Sequence, residues 1–402
     1  MDKSHRHAAA SNRELDLAAS QQIILVMEQL LQVGPLTAES RFIDLTSDVK
    51  KAFAFLRAFQ RLFDFELPLS AFFDAPTIRD LAHIALTRVT PAQSRLVLLR
   101  TGAAGMPPLF LVPGLGGVIF EMLELAKQLD YAGAIYGLAA PGLDGVDPPC
   151  TRVARMSEEN FRLAQTACLR GPYRFLGYSF GGVVAFEMAR VAAGSGAEVD
   201  FLGALDSNFV ERSWPFTVWL RHMMRRASPS NRKTSWAAAG MSSPDQAPLP
   251  EEAMRGADRK REISGTTGPA GAVRNALRRV KGKIAHRYFS APSSAAYLKA
   301  DPYYIADLPP NFQRVRDASI EMAGSYRMGY HDCELYLFRA QSGDALSCDP
   351  LLTWPRVVRR IILRPVPGNH ATMLRQPHVQ DVAREVSRCL AEVEAARRMK
   401  LR

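Results

Sequence analysis

The chain has 402 residues, an apolar share of 47% and a formal net charge of +11. These values are typical of a globular chain with a substantial core, and they leave room for a small domain beside a larger one. The sequence has no run of 18 apolar residues and its first residues lack an apolar signal core, so neither a membrane span nor secretion is expected.

The N-terminal part is predicted to be helical. Residues 1–19 read as a polar, disordered tail. Between about 20 and 90, apolar residues such as Ile23–Met27 and Leu30–Leu31 recur at helical spacing, and a long helix is predicted from Val49 to about Phe63. The sequence therefore predicts a small all-α domain at this end.

A glycine-rich loop follows the apolar run Pro108–Val112, which we take as the first strand of a sheet. The loop is Pro113–Gly117, and its glycines allow the backbone to approach a bound group closely. An ordinary glycine-rich turn is the alternative interpretation.

The segment Gly177–Gly181 reads Gly-Tyr-Ser-Phe-Gly, which is the pattern of a nucleophile elbow. A buried strand, Tyr173–Leu176, precedes it, and a helix is predicted from Val183 to about Ala193. Glycine is needed at positions 177 and 181 because Cβ atoms there would collide with neighbouring backbone. The turn should project Ser179 above the sheet. The alternative is a chance pentapeptide in a loop.

An acid and a base should follow the serine in that chain order. Asp206 ends the predicted strand Val199–Leu205. His370 lies on a glycine-containing loop after the predicted strand Val357–Pro365, before a helix that begins near Gln376. The alternatives are an aspartate that caps a turn and a histidine exposed on a loop.

These residue types predict acyl transfer through an acyl-enzyme. His370 would take the proton of Ser179 as the hydroxyl attacks a carbonyl, and Asp206 would orient the imidazole. Backbone N–H groups of Phe180 and Leu115 are the candidate donors to the oxyanion. This chemistry requires no metal, and the sequence shows no metal-ligand cluster.

Several separated segments together resemble the type I thioesterase domains that end nonribosomal peptide and polyketide synthetases. They are residues 108–117, 136–145, 171–173, 177–189, 205–207, 337–340 and 366–374. The resemblance implies an α/β-hydrolase fold over 91–402, with a helical lid at about 208–325. It also implies cleavage of a thioester from a phosphopantetheine arm, by water or by an internal nucleophile. One departure is Val112, where the family usually has histidine.

The N-terminal region resembles a four-helix acyl or peptidyl carrier domain over 20–90, on Phe42–Leu45, Glu66–Leu69 and Phe72–Thr77. In that family the residue at position 49 is the serine that carries phosphopantetheine. Val49 has no hydroxyl, so the domain is expected to be unmodified and no bound cofactor is expected. Use of Ser47 or Thr46 instead is the alternative. The domain could be a docking module or an evolutionary remnant.

Most of the positive charge lies in the region of the expected lid. Residues 211–290 hold sixteen Lys or Arg against six Asp or Glu, and Ser228–Pro250 reads as a flexible insertion. The apolar residues between Trp214 and Met224 could line an acyl pocket or pack on the core. The charge could attract an acidic carrier protein, adhere to an anionic surface or be merely solvated. No nucleic-acid motif accompanies it.

The sequence therefore predicts a free-standing thioesterase that acts on acyl or peptidyl groups held by a carrier protein or synthetase module in trans. Hydrolysis, macrocyclisation and transfer to an external amine or alcohol stay open, as do a generic esterase and a non-catalytic adaptor. A cytoplasmic location is expected because an odd number of scattered cysteines fits a reducing compartment. These cysteines are Cys150, Cys168, Cys333, Cys348 and Cys389.

Overall fold

The computed structural model describes residues 3–74, 76–90, 94–207, 217, 309–342 and 350–400. Most of the expected lid, at 208–308, lies outside these residues. The Lys and Arg residues of 211–290 also lie outside the described residues, as does the apolar segment between Trp214 and Met224 apart from residue 217. Within the described ranges, no helix is both long and apolar enough to cross a membrane.

The N-terminal part packs around a cluster of aromatic side chains. Phe42 and Phe72 stack with ring centroids 4.1 Å apart, and Phe55 and Phe59 are also at most 1% exposed. The described residues here form five helical segments, whereas four helices were expected. Two of the five are single turns of four residues. The five segments are α1 (Lys3–Leu31), α2 (Phe42–Leu45), α3 (Val49–Phe63), α4 (Ala71–Asp74) and α5 (Ile78–Thr87).

Helix α1 differs from the expectation of a disordered tail at 1–19, because it begins at Lys3. The segment contains Ala8–Ala10 and further residues of high helix propensity, so it can continue the helix that Ile23 and Met27 anchor in the core. The polar composition of this segment favours disorder, whereas the helix propensity of the same residues favours the helix that forms.

The described residues of the C-terminal part form a seven-stranded sheet of order β1-β3-β2-β4-β5-β6-β7. Strand β1 is antiparallel to β3, and every other pairing is parallel. The strand taken from the sequence as the first is therefore the second, because β1 precedes it at the edge of the sheet. The strands are β1 (Leu96–Arg100), β2 (Leu109–Val112), β3 (Ile135–Leu138), β4 (Tyr173–Tyr178), β5 (Val199–Leu205), β6 (His331–Ala340) and β7 (Val358–Val366).

Helices cover both faces of this sheet. Side chains of α7, α8 and α9 form one buried cluster with it, and those of α6 and α10 form another. This arrangement confirms the expected α/β-hydrolase fold. The carboxyl ends of the parallel strands meet at one edge, where open α/β sheets place their ligand sites. The helices are α6 (Leu123–Gln128), α7 (Val153–Ala167), α8 (Phe180–Gly194), α9 (Pro310–Ser325) and α10 (Val379–Lys400).

Candidate active site

Ser179 lies in the turn between β4 and α8, with φ 55° and ψ −123°. A Cβ atom on Gly177 would lie 2.1 Å from the carbonyl oxygen of Gly181, and one on Gly181 would lie 2.2 Å from that of Val112. Both positions therefore require glycine for the reason inferred from the sequence. The strained backbone of Ser179 is held by the tightly packed strand and helix on either side.

The three predicted polar side chains are in contact. Nε2 of His370 lies 2.9 Å from Oγ of Ser179, and Nδ1 lies 2.8 Å from Oδ2 of Asp206. Since a carboxylate only accepts hydrogen bonds, the Nδ1 proton is assigned to the bond with Asp206. Nε2 is then free of its proton and can accept that of the serine.

Backbone contacts hold the acid and the base in place. Asp206 is 8% exposed, its N–H donates to Phe338 O at 2.7 Å, and its Oδ1 accepts the N–H of Ala340 at 3.3 Å. The Tyr178 hydroxyl donates to His370 O at 2.6 Å, and the two rings stack with centroids 5.1 Å apart. Sequence reasoning missed Tyr178, although it lies inside the elbow motif.

The glycine loop, Pro113–Gly117, borders the serine. The N–H of Gly117 donates to Gly114 O at 3.0 Å and closes a tight turn. Among the described residues, no hydrogen bond occupies the N–H of Leu115. Phe180 is the first residue of α8, where backbone N–H groups have no acceptor within the helix. Both predicted oxyanion donors therefore lie on segments next to Ser179.

Glu121 is a functional candidate that sequence reasoning missed. Its Oε1 accepts the N–H of Gly114, in the glycine loop. Removal from water raises the pKa of this carboxyl to about 7, while the Gly114 N–H and the charges of His370 and Arg375 act in the opposite direction. The available signal was a single acidic residue within the apolar run Val118–Met122.

The described residues contain no group of His, Cys, Asp and Glu that could hold a metal ion. The candidate site brings together a hydroxyl, an imidazole, a carboxylate and nearby backbone N–H groups. Such an arrangement can support covalent acyl transfer.

A family model for the thioesterase domain matches residues 107–217, which include β2, the glycine loop, Ser179 and Asp206. This chain contains a thioesterase domain. A second family model, for the phosphopantetheine attachment site, matches residues 21–84 ahead of it. The order of the two matches confirms the resemblance drawn from the sequence motifs.

Relatives of this chain include nonribosomal peptide synthetases. It is 30% identical over 180 residues to a probable non-canonical nonribosomal peptide synthetase, CymA, of Salinispora arenicola (strain CNS-205). It is 28% identical over 181 residues to indigoidine synthase of Streptomyces lavendulae. The matches cover 44% and 45% of this chain but only 2% and 14% of those relatives.

A solved structure of a four-domain nonribosomal peptide synthetase, holo-AB3403 bound to AMP and glycine, shares the fold. The similarity has a TM-score of 0.51 at 18% identity, and it covers 92% of the thioesterase chain and 26% of the synthetase.

The residues of the carrier-type domain do not fit an attached phosphopantetheine. Position 49, where the resemblance places the attachment serine, is valine at the start of α3. The nearest hydroxyl in the sequence is that of Ser47, and it donates to Oε2 of Glu124 in the thioesterase domain at 3.1 Å. The carrier-type domain therefore offers no serine at the attachment position.

The two domains share one apolar cluster. Phe120 and Phe312 of the thioesterase domain are at most 3% exposed and lie among the aromatic residues of the carrier-type domain. Phe53 packs edge-on against Phe312 with ring centroids 4.7 Å apart. In addition, Nζ of Lys127 donates to the carbonyl oxygen of Ile43. The carrier-type domain thus packs directly on the thioesterase domain.

Proposed function

We propose that this protein cleaves thioesters of acyl or peptidyl groups attached to a carrier protein, with Ser179 as the nucleophile. Oγ of Ser179 attacks the thioester carbonyl carbon while Nε2 of His370 takes the hydroxyl proton. Asp206 stabilises the imidazolium that forms. The negative charge on the former carbonyl oxygen is met by the N–H groups of Leu115 and Phe180.

Collapse of the tetrahedral intermediate breaks the carbon–sulfur bond. His370 returns its proton to the leaving thiolate, so the free pantetheine thiol departs and the acyl group remains on Ser179. Water or a nucleophile within the acyl chain then attacks the ester, with His370 again acting as base. The group that attacks decides between hydrolysis and cyclisation.

The continuous hydrogen-bonded contact from Asp206 through His370 to Ser179 is the observation that carries this proposal. The three residues lie on separate loops after β5, β7 and β4. A generic packing role does not require a hydroxyl, an imidazole and a carboxylate aligned in this order.

Intact-protein mass spectrometry with a panel of acyl pantetheine thioesters tests the proposal. Wild-type protein is expected to gain the mass of the acyl group, and Ser179→Ala is expected to gain none while keeping its circular dichroism spectrum. Equal turnover by the two proteins would contradict the covalent mechanism. Product masses with and without an added amine separate hydrolysis, cyclisation and transfer.

We further propose that the acyl donor is a carrier protein or synthetase module in trans, because this chain's own carrier-type domain cannot be loaded. The support is Val49 at the attachment position and the engagement of Ser47 with Glu124. Under this proposal the protein binds no cofactor of its own.

Incubation with coenzyme A and a broad-specificity phosphopantetheinyl transferase tests the second proposal. The chain is expected to gain no mass, while a functional carrier protein in the same mixture is modified completely. An added arm that maps to residues 46–50 would contradict the proposal.

A cytoplasmic location belongs to the same proposal. The described cysteines, Cys150, Cys168, Cys333 and Cys389, are free thiols, as a reducing compartment favours. Fractionation of the source cells, with a thioesterase assay on each fraction, tests the location. Activity confined to the exported fraction would contradict it.

A further inference from the structure

Glu121 lies in a short 3₁₀ helix, Ile119–Met122, directly after the glycine loop. Its neighbours Ile119, Phe120 and Met122 are at most 3% exposed, so an acidic residue interrupts an otherwise apolar segment. The carboxyl turns back toward the loop and accepts the N–H of Gly114. The proposed reaction assigns no step to this carboxyl.

Gly114 is adjacent to both this carboxyl and the reacting serine. A methyl group on Gly114 would lie 3.3 Å from Oε1 of Glu121 and 3.3 Å from Cβ of Ser179. The backbone of the loop at Gly114 is therefore close to both the carboxyl and the serine. Any movement of Gly114 would also displace Leu115, the next residue and the proposed oxyanion donor.

The backbone that carries Glu121 is itself anchored. The ring of Phe120 lies 6.0 Å from those of Phe42 and Phe72 and 5.8 Å from that of Phe73, between centroids. These three residues belong to the carrier-type domain. A carboxyl on such a fixed segment can hold the loop in one place, whereas a mobile side chain could not.

An acidic side chain is a costly choice here. Glu121 is partly buried, and its carboxyl loses hydration that one backbone N–H only partly replaces, so an apolar residue would cost less here. The ionisable groups that act on Glu121 are His370, from the loop after β7, and Arg375, from the same loop. An acidic residue in this costly position suggests a role that an apolar side chain could not fill.

From these contacts, and on the basis of the proposed acyl-transfer function, we propose that Glu121 is a positioning residue. It holds the glycine loop, through the N–H of Gly114, in the conformation that directs the Leu115 N–H at the oxyanion. It does not touch the reacting atoms, so its effect should fall on the transition state and not on substrate binding.

Two variants separate the hydrogen-bond acceptor from side-chain volume. Glu121→Leu fills the space but accepts no hydrogen bond, whereas the amide oxygen of Glu121→Gln can still accept the N–H of Gly114. With an acyl pantetheine thioester as substrate, Glu121→Leu is expected to lower kcat by about 10- to 100-fold. This loss is smaller than that expected when an oxyanion donor is removed completely. KM should stay within about threefold, and Gln should recover most of kcat.

Glu124→Leu is the matched control, because it replaces another glutamate of the same segment that contacts Ser47 and Gln376 instead of the loop. Its kcat is expected to stay within about threefold of wild type. Unchanged kcat in Glu121→Leu, a change confined to KM, or an equal loss in Glu121→Gln would each overturn the proposal.

A second measurement does not depend on activity. Hydrogen–deuterium exchange of the peptide that contains residues 113–117 should be faster in Glu121→Leu than in wild type, and unchanged in Glu121→Gln. This result would support the positioning role even if Ser179 proved unreactive toward thioesters. Equal exchange in wild type and the Leu variant would overturn it.

Discussion

The two oxygens of Asp206 have different partners, and this difference makes the residue hard to replace. Oδ2 accepts the Nδ1 proton of His370, while Oδ1 accepts the N–H of Ala340. Asparagine has only one acceptor oxygen. If that oxygen stays with Ala340, the NH₂ group faces Nδ1 and moves the imidazole proton to Nε2, where it blocks proton transfer from Ser179.

Asp206→Asn is therefore expected to lower kcat by about 10³- to 10⁴-fold, with little change in KM. His370→Ala should lower it by at least as much, because the members of such a site act as a unit. Steady-state kinetics on an acyl pantetheine thioester measures both effects, and circular dichroism checks that the variants fold. A loss of less than tenfold in Asp206→Asn would contradict the proposed role.

Glu121 also makes stability depend on pH. The pKa of its carboxyl is about 7 in the folded protein, against a reference value of 4.5. Both states are protonated at low pH. As pH rises from 4.5 toward 7, the Glu121 carboxyl ionises in the unfolded chain but not in the folded protein. The free energy of unfolding therefore falls by up to about 3 kcal/mol and stays at the lower value above pH 7.

Glu121→Gln removes this ionisation. The free energy of unfolding of this variant minus that of wild type should therefore be about 2 kcal/mol larger at pH 8 than at pH 5. Urea denaturation of both proteins at the two pH values measures the difference. The same difference at both pH values would show that the carboxyl does not titrate in this interval.

At the scale of elements, the close approach of α8 to the glycine loop depends on Gly181. A Cβ atom there would lie 2.2 Å from Val112 O and 2.3 Å from Pro113 O, and neither backbone oxygen can move without displacing the loop. Helix α8 begins at Phe180, one residue before Gly181. Its first N–H groups can approach the serine only because Gly181 has no side chain.

Gly181→Ala is expected to lower the free energy of unfolding by about 2–3 kcal/mol and to abolish measurable turnover. Gly194, the last residue of the same helix, is the matched control, since a Cβ there has nothing within 4 Å. Gly194→Ala should leave turnover unchanged and should stabilise the protein by up to about 1 kcal/mol. Equal effects of the two substitutions would contradict this account of the turn.

Local patterns were sufficient to predict the elbow, because strand, tight turn and helix are contiguous and the need for glycine is local. They also predicted helix α3 at its observed bounds. The contact of Glu121 with Gly114 was not predictable, since only folding decides whether an acidic residue in an apolar run turns inward. The edge strand β1 was missed because its pairing with β3 is non-local.

At the scale of the whole molecule, the carrier-type domain and the thioesterase domain form one packed unit. Phe120 and Phe312 contribute to the core of the first domain, while Ser47 and the carbonyl of Ile43 contact Glu124 and Lys127 of the second. A working carrier domain must move between partners. Under the proposal that this domain is not loaded with phosphopantetheine, it has no such requirement and can keep these extensive contacts.

This packing predicts that the two domains unfold together. Phe53 and Phe312 lie on opposite sides of the interface in edge-to-face contact, a geometry worth about 0.5–1.5 kcal/mol beyond burial. A double-mutant cycle with Phe53→Ala and Phe312→Ala, measured by urea denaturation, is expected to give a coupling energy in that range and a single transition in wild type. If the carrier-type domain instead moved freely, the two substitutions would be additive and two separate transitions would appear.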